Sequence, residues 1–327
     1  MKDNDLDEPT SGLVSARQEI LALRPDPGRR GSELNPTLRS DTWRVVDTRP
    51  SLAFRNGHLP GSIHLSGESV KRHPYLLPPR RRRLCAVAST EETARSAAAS
   101  LVGLGWHRAG YAVVPDPPPP SMGNVPLLTG PSDTVLWEPS SWLADIAPDL
   151  PTDGDALDFA CGSGRDAVWL ASLRKGTVHG VDLLPDALLR ARALRSSARA
   201  ALAARSAGAG GPHLSNVRFH QADLAREPGV SRWLPPSRWN VVLVFRYLDR
   251  GLLPRIAASL RPGGHLVYQT FLVEQRERKG SPRSDHHLLT PGELEAAFRS
   301  LEILRYQEGD DEDGNVFASL WARRPES

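Results

Sequence analysis

Residues 157–171 read LDFACGSGRDAVWLA. Apolar residues 156–159 have strand character, the small residues after them form a tight turn, and from Arg165 the apolar spacing becomes helical. Such a unit brings backbone amides against a ligand. Gly162 and Gly164 permit backbone angles and close approaches that a Cβ would block, and the next helix offers free N–H groups and a positive dipole end. The turn is expected to bind something small and anionic at one end.

Outward from this turn, the apolar runs keep a regular order. Strands are expected at 156–159, 177–181, 217–221, 240–245 and 265–271. Helices fall between them at 165–173, 185–207 and 252–260, a short helical or turn segment lies near 224–233, and a last helix spans 291–298. Thr290-Pro291-Gly292-Glu293 reads as a capping box with proline at the first helical position. Two final strands, near 302–307 and 317–322, flank the acidic turn 308–314. The pattern predicts an α/β fold: a seven-stranded, doubly wound sheet with a terminal antiparallel hairpin. A helix capped by Ser140 or Ser141 precedes it, and residues 191–211 read as a lengthened helix running into a flexible glycine-rich loop.

The 327 residues are enough for two domains. Hydrophobic content of 39% with 24% charge is ordinary for a soluble globular chain. No apolar run nears the roughly 20 residues of a bilayer span, and the acidic start MKDNDLDEP is unlike a signal peptide, so a cytoplasmic protein with no membrane partner is expected. Cys85 and Cys161 are the sole cysteines, which leaves no disulfide framework and no cysteine-type zinc site. A net charge of +3 argues against a nucleic-acid partner.

Residues 1–38 lack sustained periodicity and are expected to form a partly disordered arm. Strands at 43–47, near 62–65, at 84–88 and at 109–114, with a helix at 90–104, predict a small parallel α/β domain over 39–114. Asp47-Thr48-Arg49, Phe54, Gly57-His58-Leu59-Pro60-Gly61-Ser62-Ile63 and the strand-loop-helix from Leu84 to Gly105 resemble the rhodanese-like family. That resemblance implies a nucleophilic cysteine near Ala88, where this chain has Ala88-Ser89-Thr90-Glu91-Glu92-Thr93. Two glutamates would raise a thiolate's pKa, and Cys85 lies inside the strand. The domain is expected to be catalytically silent, serving docking, dimer contact or binding of a small anion. Arg80 to Arg83 reads as a solvated loop or an anion contact, and the proline run 117–120 as a stiff spacer within a linker at 115–133, leaving 134–327 as the second domain.

Gly162-Ser163-Gly164-Arg165-Asp166-Ala167 also fits the dinucleotide pattern, with Asp182 about 20 residues on. Asp158, ahead of the glycines, would face a cationic amino acid group rather than a pyrophosphate. Asp223 with Leu224 is placed to meet an exocyclic amine, and Arg261-Pro262-Gly263-Gly264 breaks a helix before the fifth strand. Together these resemble the class I S-adenosylmethionine-dependent methyltransferases, whose sheet is Rossmann-like. The resemblance implies S-adenosylmethionine as cofactor, held through its methionine part by Asp158, Ala160, Cys161, Gly162 and Gly164. It implies Asp182 with Leu183 at the ribose, Asp223 with Leu224 at the adenine, and Phe245 at the end of the fourth strand. Ala160 stands where the family often has glycine, and Cys161 reads as a packing residue.

Methyl transfer is an in-line displacement, so alignment and a dry site matter most. The acceptor side should come from Arg246, Tyr247 and the segment 270–289 with Arg276, Arg278, Lys279, Arg283, His286 and His287, a cation cluster suited to a small anionic or soft nucleophile. Arg246, Tyr247, His286 and His287 are the catalytic candidates. The order of these segments further resembles the tellurite-resistance and thiopurine methyltransferases, which implies a small-molecule acceptor such as a thiol or chalcogen oxyanion. An RNA methyltransferase, a nicotinamide-dependent oxidoreductase and a non-enzymatic cofactor-binding regulator stay open as alternatives.

Overall fold

A computed structural model describes residues 14–15, 42–205 and 214–326. The arm expected over 1–38 lies outside the described residues but for 14–15, and the expected glycine-rich loop lies wholly outside them. The chain forms two compact units. One comprises the described residues within Met1–Glu138 and Ser197–Gly211, the other those within Pro139–Ser196 and Pro212–Ser327.

In the first unit, β1 (Val14–Ser15), β2 (Arg44–Asp47), β3 (Ser62–His64), β4 (Leu84–Ala88) and β5 (Ala109–Val113) form a parallel sheet in the order β1-β5-β4-β2-β3. Helices α1 (Ser51–Asn56), α2 (Gly67–Arg72) and α3 (Glu91–Gly103) complete it. Helix α3 starts on a reciprocal cap, with the Thr93 and Thr90 amides each donating to the other residue's hydroxyl at 3.3 Å. Buried Arg49 pairs with buried Asp47 at 2.7 Å and donates to the Gly57 carbonyl at 2.6 Å, tying β2 to the Gly57-His58 turn.

The segment after the prolines is no free spacer. A Cβ on Gly57 would lie 2.7 Å from Pro118, Leu128 and His58 exchange backbone hydrogen bonds, and the short pair β6 (Ser121–Met122) and β7 (Val125–Pro126) buries Met122 and Val125 beside Trp43 and Val45. Apolar side chains between the prolines and Glu138 give this stretch a surface to bury. The arginine run is structural as well: Arg81 and Arg82 pair with Glu138, while Arg80 and Arg83 stack over Trp106 and Trp43.

In the second unit, β8 (Ala156–Phe159), β9 (Val178–Asp182), β10 (Val217–Gln221), β11 (Trp239–Phe245), β12 (Leu260–Phe271), β13 (Glu302–Asp310) and β14 (Val316–Arg323) form one sheet, in the order β10-β9-β8-β11-β12-β14-β13. β14 runs antiparallel to both its neighbours, and the other pairings are parallel. The expected α/β, doubly wound sheet with its terminal hairpin is thus present. Helices α4 (Ser141–Ile146), α5 (Arg165–Ser172), α6 (Pro185–Arg205, of which the part up to Ser196 falls in this unit), α7 (Gly229–Trp233), α8 (Leu253–Ser259), α9 (Glu274–Lys279) and α10 (Glu293–Ala297) precede or connect the strands.

Two local expectations change. Helix α10 begins at Glu293 rather than Pro291, because Gly292 takes a left-handed φ of 75°. Glu293 still accepts the Thr290 amide at 3.0 Å, but the Thr290 hydroxyl also donates to Glu293 and caps no amide, so only half of the capping box forms. The Pro262-Gly263-Gly264 run is a bulge inside β12 rather than a break before it. Leu260 pairs with Trp239, and His265 resumes the ladder opposite Val241.

The strand order reverses between β8 and β11, and in an open α/β sheet the crevice beyond the carboxyl ends at that point is where ligands bind. Among the described residues no helix is long and apolar enough to cross a membrane.

Candidate functional site

Strand β8 carries Asp158 and Phe159 up to the switch point, and the chain then turns through Ala160, Cys161 and Gly162 to Gly164, the N-cap of α5. Ala160, Gly162 and Gly164 all have positive φ, at 60°, 53° and 71°. The two glycines serve different ends. A Cβ on Gly164 would press on Phe219 and Ala191 at 2.7 and 2.8 Å, so that glycine packs α5 against its neighbours; a Cβ on Gly162 would meet nothing within 4 Å, so that side of the turn is open.

Asp158 is 2% exposed and its Oδ2 has no hydrogen-bond partner. Burial, with Asp166 and Asp182 nearby, pushes its carboxyl well above the usual carboxylate range, against the pull of the Ala167 amide that it accepts. Asp166, half-buried in the first turn of α5, is raised by burial and restrained by the Ser140 amide, Arg246 and Arg165. The Ser140 amide donates to Asp166 Oδ1 at 2.7 Å, and the Ser140 hydroxyl donates to Gln269 at 3.3 Å. Asp166 and Gln269 are not site candidates in the sequence, and Ser140 enters there only as a helix cap. Asp166 stands within the glycine motif, but nothing local shows that its carboxyl accepts the Ser140 amide.

At the end of β9, Asp182 accepts the Gly162 amide at 2.8 Å and the Leu184 amide at 2.9 Å. The neighbouring Leu183 is an apolar side chain 51% exposed. After β10, Asp223 accepts the Ala225 amide at 2.9 Å, while Leu224 is buried. Cys161 packs against Gly180, and burial with Asp158 and Asp182 raises its thiol well above its ordinary range, so it is held as the thiol. Phe245 ends β11 opposite Gln269 of β12.

A methyltransferase-domain family model matches residues 137–303. The chain belongs to the methyltransferase-domain family. A rhodanese-like domain model matches residues 32–113 of the first unit. An uncharacterized fission yeast protein, UNK4.09 of Schizosaccharomyces pombe, is 26% identical over 323 residues, covering 86% of this chain and 94% of its own. Similar solved structures include a putative methyltransferase of Bacillus halodurans, 18% identical over 57% of this chain and 99% of that one, TM-score 0.42. They also include TehB of Haemophilus influenzae, 16% identical over 56% and 61%, TM-score 0.41.

Around the methyltransferase domain's glycine turn, the four catalytic candidates separate. Tyr247 packs edge-on against Phe159 at 5.4 Å, and burial with Asp249 and Asp223 pushes its hydroxyl up to about 12, so near neutral pH it is a phenol and no base. Arg246 is exposed, takes a left-handed φ of 56°, and holds its guanidinium 5.9 Å from the Phe317 ring. His286 and His287 lie on the exposed turn Asp285–His287, and among the described residues neither imidazole hydrogen-bonds to or stacks on the glycine turn.

The expected cation cluster of the 270–289 segment is largely spent on acidic partners. Arg276 pairs with Asp285, Arg278 pairs with Asp310, and Lys279 donates to the Asp313 carbonyl at 3.0 Å. Asp310, the last residue of β13, and Asp313 in the turn after it supply two of those three partners, a pairing between distant segments that spacing cannot show. In the methyltransferase domain's rhodanese-like companion, Cys85 is fully buried within β4 and burial raises its thiol, while the loop after β4 is closed by the Thr90 cap.

Proposed function

We propose that the second unit is an S-adenosylmethionine-dependent methyltransferase acting on a small-molecule acceptor. The observation that carries this reading is the partnerless, buried oxygen of Asp158 beside an open turn at the switch point. A buried carboxylate there suits a cationic amino acid group and repels a pyrophosphate, which argues for this cofactor over a nicotinamide dinucleotide. Asp158 and the turn through Gly162 would hold the methionine part, Asp182 and Leu183 the ribose, and Asp223 with Leu224 the adenine. When bound, the cofactor supplies a sulfonium methyl group to the acceptor.

The chain's own residues orient the partners and exclude water. Neither Tyr247, which keeps its proton, nor the two histidines, which lie on an exposed turn, is placed as a base. An acceptor that arrives as a soft, already ionised nucleophile, such as a thiolate or a chalcogenide, needs none. This favours a thiol or chalcogen acceptor over an oxygen or nitrogen acceptor, although the cation cluster no longer argues for an oxyanion. The rhodanese-like unit is read as a non-catalytic module for docking or dimer contact.

Isothermal titration tests the cofactor. S-Adenosylhomocysteine should bind and NAD should not; NAD binding alone would overturn the reading. Asp182→Ala should weaken binding at least tenfold while the circular dichroism spectrum is kept. Labelled S-adenosylmethionine screened against thiols, selenite, tellurite and bulk RNA should label a small molecule, whereas salt-sensitive labelling of RNA would move the activity to the RNA class. Tight cofactor binding with no transfer across the panel would favour the non-enzymatic regulator.

A further inference from the structure

A cleft of about 400 Å³ lies between α4 and the face of the sheet formed by β12, β14 and β13, a volume within the roughly 300–1,000 Å³ of small-molecule sites. Its buried wall is polar. Gln269 and Ser319, paired across β12 and β14, are 8% and 2% exposed. Gln269 Oε1 accepts the Ser140 hydroxyl at 3.3 Å, and Nε2 donates to the Ser319 hydroxyl oxygen at 2.9 Å. Among the described residues that leaves the Ser319 proton and the second Gln269 N–H with no acceptor, although both side chains line the cleft. An apolar pair would pack in the same register without burying idle donors, so the wall suits a ligand that brings an acceptor atom. The wall also adjoins the glycine turn's helix and the end of β11. The Gln269 carbonyl accepts the Arg246 amide at 2.8 Å, and the Ser140 amide donates to Asp166 in the first turn of α5 at 2.7 Å.

The rest of the cleft is acidic. Asp145 of α4 and Glu308, Asp310, Asp311 and Glu312 of the β13 hairpin line it, and no Lys, Arg or His does. Asp310 is engaged by Arg278, Glu308 by the Tyr306 hydroxyl and the Gly292 amide, and Asp311 by the Asp313 and Asn315 amides. Asp145 is exposed, and its carboxylate has no hydrogen bond or ion pair among the described residues. The cations at the margin are Arg278, Arg305 over the Trp142 ring at 4.6 Å and Arg246 at 5.9 Å from the Phe317 ring, so three positive charges stand against five negative ones. No group of carboxyls converges to hold a metal ion among the described residues, which leaves the excess charge to an organic cation.

We propose that this cleft is the acceptor site and that the acceptor is an aminothiol. Its sulfur accepts from Ser319 and Gln269, and its ammonium group is drawn by the carboxylates, Asp145 foremost. Calling the ligand the methyl acceptor rests on the methyltransferase reading above; the preference of the cleft for a cationic thiol does not. An ammonium group close to the sulfur also favours the thiolate, so such a ligand ionises without a base from the protein, in keeping with Tyr247 and the two histidines.

Direct binding tests the cleft without turnover. 2-Aminoethanethiol, 2-mercaptoethanol and 3-mercaptopropionate are similar in size and differ in charge. Titrated into the full chain with and without S-adenosylhomocysteine, 2-aminoethanethiol should bind at least tenfold more tightly than 3-mercaptopropionate. It should also shift the backbone amide signals of Asp145, Gln269 and Ser319 in NMR spectra. Asp145→Asn should weaken 2-aminoethanethiol at least twofold and leave 2-mercaptoethanol unchanged, and Asp145→Lys should bring the two charged thiols within threefold of each other. Ser319→Ala should weaken the cationic and neutral thiols by the same factor. Equal affinity for the three thiols, shifts confined to other residues, or no binding of any of them overturns the proposal. If S-adenosylhomocysteine binds while the thiols show no preference for positive charge, the aminothiol assignment alone falls. If S-adenosylhomocysteine does not bind but 2-aminoethanethiol still occupies the cleft, the cofactor reading falls and the cleft keeps its ligand class.

Discussion

Ala160 holds φ at 60° with a side chain that the left-handed region penalises by about 1–2 kcal/mol. The sequence marks this residue as a departure from a frequent glycine and suggests no loss of reach; the backbone shows that the loss is conformational instead. Ala160→Gly should relieve the strain, partly offset by the extra freedom of glycine in the unfolded chain, for a net gain of roughly 1 kcal/mol or less. In a domain of this size that raises the melting temperature by about 2–4 °C per kcal/mol. Differential scanning calorimetry measures it, and an unchanged or lower transition would mean that the methyl group's packing outweighs the strain. Gly162 and Gly164 were both legible as turn glycines, yet their division of labour was not. One leaves a surface open and the other lets Phe219 and Ala191 approach, and that difference lies in residues from β10 and α6 which no local spacing connects.

At the scale of elements, most of the sheet could be read because its strands are short apolar runs bounded by breakers: 156–159 and 217–221 match β8 and β10 residue for residue. What could not be read depends on tertiary contacts. The Asp166, Ser140 and Gln269 set joins three separated segments, and two of the supposed acceptor cations find their partners at the end of β13 and on the turn after it. Between β9 and β10 the sheet places His179 against His220, Nδ1 to Nε2 at 3.2 Å, with the His220 ring 4.7 Å from Trp233. Sharing one hydrogen bond requires at least one neutral imidazole. Burial, then the His220 charge and nearby arginines, lowers the pKa of His179 below 6.5, and burial with Arg232, Arg218 and Arg192 does the same for His220. Between those lowered values and 6.5 the unfolded chain binds more protons than the native one. Stability is therefore full above pH 6.5 and falls as the pH drops toward the folded values. Thermal melts of wild type and His179→Gln between pH 7.5 and 5 should show a shallower decline in the variant, with Trp233 fluorescence quenched over the same interval in the wild type. Parallel declines would assign the acid sensitivity to carboxylates elsewhere.

Across the whole molecule, a methyltransferase domain and a rhodanese-like unit share one chain whose two thiols are both withheld from chemistry. Cys85 is fully buried inside β4, with its thiol raised by burial and by Asp47; Cys161 lies half-buried within the glycine turn against Gly180, its thiol raised by burial, Asp158 and Asp182. Sulfur transfer from thiosulfate needs a thiolate that can reach the donor; both conditions fail at buried Cys85, and at half-buried Cys161 the sulfur is held as the thiol. Incubation of the native protein with thiosulfate should therefore produce no mass gain of one sulfur atom, and thiocyanate formation on adding cyanide should stay at the uncatalysed rate. Urea at concentrations that unfold the chain should expose Cys85 to an alkylating reagent that leaves it unlabelled in the native protein. A cyanide-labile sulfur on Cys85 in the native state would overturn this, and would require β4 to open far enough to solvate a residue at the centre of its sheet. The first unit's contribution would then be catalytic; with both thiols silent, it is left to act by what its surface binds.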